Sequence, residues 1–438
     1  MHFNSPPMYG ATPPYAVPLP QRGPPPVYGA TSQTGSLGTP SFPMWKTQRR
    51  SPNNSHDSRG SWRHNPIGTG GSPVSPVLLP QPQANIILVP TRPLLKALAR
   101  ECKPSPPWCV GFAPPSSLSE ELLLFDAFVA LTPAEKERWD SLVATVELIC
   151  RAVWPEVTLH EMGAVAAGVK LSKESVAHFY TMNSPADSTA EERLRAVATD
   201  RGFQTEFTVD YRDTATVILT EARTGERCAV RFGEEASRAQ ESAALLRTRI
   251  AAIPERRAVV VALDSLLRQN KALDDSGLNN NLLNSEAAAL MVLAIANSYP
   301  ADDQPDAGRL LEDYFLTYGF SSQFECSSMS IHYNGMDNRL EKVHRESQLS
   351  VLDPGDLTRN LTPKLDKFSH LQAVFNYCYT ALSQFTQVSP EQRRAQSALS
   401  TLIGGESYWS RVLKLYHQNV SPFAEVVQAR HAILAQSL

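Results

Sequence analysis

The sequence predicts an α+β protein: a disordered tail, then a small mixed β-sheet, then a larger lobe of helices. Three observations lead there. Residues 1–84 are dominated by Pro, Gly, Ser, Thr, Asn and Gln, a composition that buries too little apolar surface to offset its ordering entropy. Residues 207–232 hold short β-branched and aromatic runs divided by turn residues, the pattern of strands and a hairpin. From about Ala236 onward apolar residues recur mainly at helical spacing. At 438 residues the chain exceeds one typical core, so two lobes are expected.

The tail is set apart by proline and by charge. Half of the chain's 34 prolines lie in its first 82 residues. The same stretch carries Arg22, Lys46, Arg49, Arg50, Arg59 and Arg63 against one acid, Asp57, a charge of +5 that leaves −8 on the remainder of a chain totalling −3. The folded part is therefore mildly acidic, which argues against a broad basic nucleic-acid surface. Two Pro-Pro-x-Tyr tetrapeptides end at Tyr9 and Tyr28. In polyproline II geometry such segments fit the aromatic grooves of WW-type domains, although short Pro motifs also arise readily in biased sequence. Arg49-Arg50-Ser51-Pro52, with Arg59 and Arg63, reads either as an RNA contact or as a solvated charge cluster.

Residues 85–154 are expected to form an N-terminal helical segment that packs on the helical lobe. Asn85-Ile86-Ile87-Leu88-Val89 reads as a short apolar strand or docking segment. Thr132-Pro133-Ala134-Glu135 is a helix start: Thr caps, Pro fits the first turn, and Glu takes the capping-box position. Trp139, Leu142, Val143, Val146, Ile149 and Val153 follow at helical spacing until Pro155 stops the helix. Residues 155–245 are assigned to the sheet-bearing lobe. Val157-Thr158-Leu159 and residues 207–211 read as strands. Residues 216–220 and 228–232, joined through Arg223-Thr224-Gly225-Glu226, read as a hairpin. Residues 246–420 form the helical lobe, with the clearest helices at 257–268, 285–297, 308–318 and 371–382. Residues 421–438 are a C-terminal helix or tail.

Cys102, Cys109, Cys150, Cys228, Cys326 and Cys378 are scattered with no Cys-x-x-Cys pair, which reads as reduced thiols in an intracellular protein. No apolar run is long enough to span a bilayer, and the Pro-rich start lacks a secretory h-region. A nuclear location is favoured over a cytoplasmic one, and a mitochondrial one stays open. No membrane contact is expected.

Residues 163–177 have the length and punctuation of a nucleotidyltransferase signature, in which Gly-Ser is followed about ten residues on by Asp-x-Asp. Around it stand Pro107-Trp108, Leu118-Ser119-Glu120-Glu121 and Val153-Trp154-Pro155-Glu156-Val157. Further on come residues 308–319, then Ser330-Ile331-His332-Tyr333-Asn334-Gly335, Leu352-Asp353-Pro354 and Asn360-Leu361-Thr362. In this order, from about Pro107 to Leu415, the set resembles the noncanonical poly(A) polymerase and terminal uridylyltransferase family, especially its TRAMP-type members. The resemblance implies a bilobal nucleotidyltransferase fold with a mixed-sheet palm and a helical central and poly(A)-polymerase-associated domain.

That family's reaction uses Mg²⁺ held by carboxylates. The resemblance puts the three carboxylate positions at Ser175, Ala177 and Ala229, none of which can serve. It puts the Gly-Ser pair at Gly163 and Ala164. The triphosphate lysine falls at Asp264, where a carboxylate would repel phosphate. The Ser-Tyr-Ser segment falls on Asn284, Ser285 and Glu286, which lack an aromatic ring for the base. Glu174 is one residue out of register with Ser175, and Asp210 and Asp213 are the alternative carboxylates. His160 with Glu161 makes no metal site. His332, His344 and His370 are too dispersed to pair, and Arg256-Arg257 and Arg393-Arg394 read as helix charges or as an RNA path.

The sequence thus points to a catalytically inactive nucleotidyltransferase-like subunit, with no cofactor or metal expected. It would be a scaffold or RNA-binding partner of RNA-processing proteins in 3′-end processing or surveillance. The alternative is an active Mg²⁺-dependent RNA nucleotidyltransferase adding A or U. A third reading is a Pro-rich adaptor on a stable platform.

Overall fold

A computed structural model describes residues 106–109, 115–169, 176–185, 187, 189–209, 214–273, 282–337, 348–363, 365, 368–387 and 397–403. The tail with Tyr9 and Tyr28, the 85–89 segment, and residues 421–438 lie outside them. So do Cys102, Glu174, Ser175, Asp210, Asp213, His344, Arg393 and Arg394.

Helix α1 (Leu118–Val129) starts where the Ser117 side chain accepts from the Glu120 backbone N–H. Helix α2 (Pro133–Val153) begins with the expected capping box: Thr132 accepts from the Glu135 N–H and Glu135 accepts from the Thr132 N–H. It ends at Trp154, immediately before Pro155. Strand β1 (Thr158–Glu161), the one-turn helix α3 (Gly163–Ala166), β2 (Ala177–Met182), α4 (Ala190–Asp200), β3 (Phe203–Val209), β4 (Ala215–Glu221) and β5 (Arg227–Arg231) complete the palm. The sheet order is β1-β2-β5-β4-β3. Strands β2 and β5 run parallel, and every other neighbouring pair is antiparallel, so the sheet is mixed as expected. The β4–β5 hairpin falls where the sequence places it.

One face of this sheet is covered by α2 and α4. Leu142, Val146 and Ile149 of α2 and Leu194 of α4 share a core with Ala177, Phe179, Val217, Leu219 and Val230. Here the expected organisation needs a correction. Among the described residues Trp108, Cys109 and α1 pack on the helical lobe, whereas α2 packs on the palm. The physical reason is the direction of its apolar stripe, which faces the sheet.

Helix α5 (Ala239–Leu246) packs on α3 of the palm, and the helical lobe begins with a π-helical turn over Arg247–Ala251 and α6 (Pro254–Gln269). Helices α7 (Ser285–Ala296), α8 (Ala307–Gly319) and α9 (Phe368–Gln387) follow. Two small antiparallel pairs lie between α8 and α9: β6 (Ser330–His332) with β7 (Gly335–Asp337), and β8 (Leu352–Asp353) with β9 (Asp356–Asn360). Helix α7 is buried along its whole length, as expected of a helix apolar all round. Helices α8 and α9 approach so closely that a Cβ on Gly319 would lie 2.6 Å from the Asn376 backbone nitrogen. Among the described residues no helix is long and apolar enough to cross a membrane. Cys109, Cys150, Cys228, Cys326 and Cys378 are free thiols, and burial pushes those of Cys109 and Cys150 up to about 12.

Candidate functional site

The Gly163 turn sits at the edge of β2. The Met162 N–H donates to the His178 carbonyl, which ties the turn to the strand. Gly163 has φ +56° and Gly168 has φ +86°, left-handed backbone that favours glycine. At Gly168 space matters as well: a Cβ would stand 2.9 Å from Cδ of Arg257, and Arg257 is held by two bonds to Asp126 of α1.

The register of β2 on β5 decides which residues could share a metal ion. Ala177 lies opposite Cys228, and His178 lies opposite Ala229. Side chains alternate between the faces of a strand, and directly paired residues point the same way. Ala177 therefore joins the α2–α4 core, while Ala229 points to the other face and packs with Val176 and Ile218. The expected convergence of Ala177 with Ala229 is thus corrected by one residue. The i, i+2 pair on Ala229's face is Val176 and His178, and a one-residue slip exchanges the faces of a whole strand. Ser175 falls outside the described residues.

This face does not fit Mg²⁺, which requires oxygen ligands near octahedral geometry. Val176 and Ala229 offer no ligand atom, and His178 offers an imidazole. Arg231, wholly buried two residues beyond Ala229, brings a permanent positive charge to the same face, its Nη1 against the Met162 sulfur. Among the described residues no group of three His, Cys, Asp or Glu side chains is placed to hold a metal ion. His160 stacks on Tyr180 at 5.1 Å. Burial and then the nearby Arg247 charge hold its imidazole below the ordinary value. Glu161, next in the strand, points the other way, so the two make no site.

The helical lobe supplies the other half. Asp264 on α6 is 2 % exposed. It is gripped by Arg268, with Nε to Oδ2 at 2.7 Å and Nη2 to Oδ1 at 3.1 Å. Ser285 at the start of α7 donates to the same carboxylate at 2.7 Å. Asp264, read in the sequence as a carboxylate that would repel a triphosphate, is paired with a guanidinium one helical turn away. Asn284 caps α7 through the Ala287 N–H and donates to the Leu361 carbonyl. Glu286 is buried and accepts from the Ser242 hydroxyl of α5.

These residues come together. Helix α3 packs on α5 and α7, and Met162, Ala164, Ala166, Ala167 and Tyr180 share one apolar core with Leu263 of α6 and Ala287 of α7. The sequence reading did not single out Val176, His178, Arg231, Arg268 or Ser242. Arg268 was within reach, since a charge pair at i, i+4 is a known helix pattern; the β2 faces were not, because they depend on strand pairing. Arg256 donates to the Arg249 carbonyl and to Gln304, and Arg257 holds Asp126.

No family model and no curated protein matches the chain in sequence. Solved structures do match in shape. The polymerase core of TRAMP, an RNA surveillance complex, superposes with TM-score 0.57 at 17 % identity, over 68 % of this chain and 99 % of that one. The Cid1 poly(U) polymerase gives 0.51 at 15 %, over 64 % and 98 %. The apo form of mtPAP gives 0.54 at 14 %, over 70 % and 75 %. At these identities the likeness is one of fold: this chain has the bilobal nucleotidyltransferase fold of those polymerases.

Proposed function

We propose that the chain is a catalytically silent nucleotidyltransferase-fold subunit, a scaffold or RNA-binding partner in RNA 3′-end processing or surveillance. The observation that carries this reading is the face of β2 and β5 that Ala229 occupies. Transfer of a nucleotide to an RNA 3′ hydroxyl requires two metal ions flanked by carboxylates, and that face presents Val176, His178, Ala229 and Arg231. The nucleotide-holding positions support the same reading, because Asp264, Asn284, Ser285 and Glu286 spend their polar atoms on internal bonds. Fold alone does not carry activity, and here the chemistry has been replaced.

The partners proposed are RNA-processing proteins, with RNA itself and WW-type domains reached through Tyr9 and Tyr28. No cofactor is proposed, and the nucleus is the favoured compartment. The test is a primer-extension assay on the full chain with Mg²⁺ or Mn²⁺ and each nucleoside triphosphate in turn. No extension is expected. Templateless extension that disappears in Asp210→Ala would overturn the proposal and establish the active alternative. Partner capture that is unchanged when Tyr9 and Tyr28 are both replaced by Ala would reject the role given to the tail.

A further inference from the structure

We infer that the Ser242–Glu286 contact is an interlobe latch, which holds the palm against α7 and keeps the nucleotide position permanently closed. Ser242 is 0 % and Glu286 1 % exposed, and the hydroxyl of one donates to the carboxylate of the other across 44 residues of chain. The contact sits where α3 meets both helices. On one side the Gly163 turn contributes Ala164, Ala166 and Ala167 to the shared apolar core, and on the other α7 contributes Ala287 and Ala288.

Glu286 lies in the segment where the family resemblance places the base contact, and it carries no aromatic ring. A carboxyl group there gives nothing to a base, but it gives α5 an acceptor in a dry seam. A hydrogen bond in a buried site is electrostatically stronger than one in water. Two more ties flank it: Arg247 donates to the Glu161 carbonyl at 2.6 Å, and Arg257 closes over Gly168. Nucleotide entry would have to break an apolar core and a buried hydrogen bond together. The seam therefore works as a built-in autoinhibitory contact, and the two lobes present one fixed outer surface to a partner. The inference deepens the silent reading above, and the two fail separately.

Hydrogen–deuterium exchange of the full chain tests it, read at the backbone amides of residues 162–169. Slow exchange is expected in the wild type. Ser242→Ala and Glu286→Ala are expected to raise it roughly tenfold or more, as a local opening rather than global unfolding. Glu286→Gln keeps an acceptor and is expected to stay near the wild-type rate. Thr132→Ala removes the α2 cap on the other face of the sheet and should leave these amides unchanged. Fast exchange in the wild type, no change in either alanine variant, or the same acceleration in Thr132→Ala would overturn the latch. Where Glu286→Ala fails to fold, Ser242→Ala, which deletes one hydroxyl, decides. Primer extension by the wild type would remove the silent reading and leave the latch to be judged on exchange alone.

Discussion

Asp264 and Arg268 form a two-bond ion pair one helical turn apart on α6, with Ser285 of α7 closing the carboxylate from the other side. Asp264 is buried, 2 % exposed, and the Arg268 side chain is 11 % exposed. The pair's role is to join α6 to α7.

Removing one partner leaves an uncompensated buried charge. Asp264→Ala is therefore expected to lower stability by about 3 kcal/mol. Asp264→Lys should cost more, since it puts a second cation beside Arg268. Urea unfolding followed by circular dichroism measures both. A loss below about 1 kcal/mol, the range of exposed pairs, would show that the geometry is not maintained in solution.

Glu121 of α1 gives a pH prediction. Its buried carboxylate accepts from Trp108 Nε1 at 3.0 Å, from the Ser397 hydroxyl and from the Leu399 N–H at 3.1 Å. Burial raises its pKa above the ordinary 4.5, with the three donors opposing that shift. A raised carboxylate pKa means the folded state holds the proton more tightly than the unfolded state. Stability from this group is therefore full below about 4.5 and is lost as pH rises through the folded value. Asp126 is raised as well, again by burial first, with Arg257 opposing, so the slope has two sources. In Glu121→Gln one source is gone, and the variant should gain on the wild type as pH rises through that window. A difference between the two that is constant with pH would contradict the assignment.

Much of the fold was legible because its signals are local. The Thr132 capping box, the Pro155 stop, the hairpin around Gly225 and the long helical stripes of α6 to α9 each lie within a few residues of sequence. Helix α4 was not, since only Ala190, Leu194 and Ala198 are buried in it, two of them too small to mark a stripe. The short pairs β6–β7 and β8–β9 hold two to five residues per strand, below the length at which alternation is informative. At the candidate site the residue types were legible and the faces were not. Which of Val176 or Ala177 shares Ala229's side is fixed by the pairing of β2 with β5, a relation between segments some fifty residues apart in sequence.

Gly319 tests the packing of α8 on α9. Its missing Cβ would lie 2.6 Å from Asn376 N and 2.9 Å from Phe375 C, both backbone atoms that cannot swing aside. Gly319→Ala must push the helices apart, at a cost of about 2 kcal/mol, the middle of the range for overpacked cores. In an exposed helix the same change would instead stabilise slightly. A raised melting temperature in the variant would refute the close approach.

The register of β2 makes the most discriminating prediction, because it separates two placements of the same three carboxylates. In the triple variant Val176→Asp, His178→Asp, Ala229→Asp the new side chains share one face, two of them at i, i+2 and the third directly opposite residue 178. Close carboxylates repel when unliganded, so this variant should melt low without metal. Added Mn²⁺ should restore it, since a ligand bound only by the folded state raises stability as RT ln(1 + [L]/Kd). A melting gain equivalent to about 2.7 kcal/mol is expected at a hundredfold excess over Kd. In the alternative triple Ser175→Asp, Ala177→Asp, Ala229→Asp, the Ala177 carboxylate enters the apolar core with Phe179 and Val230, away from Ala229. That variant should be destabilised without rescue by Mn²⁺, as expected of a buried unpaired charge. Rescue of the second triple and not the first would mean that β2 pairs with β5 one residue out of the register described.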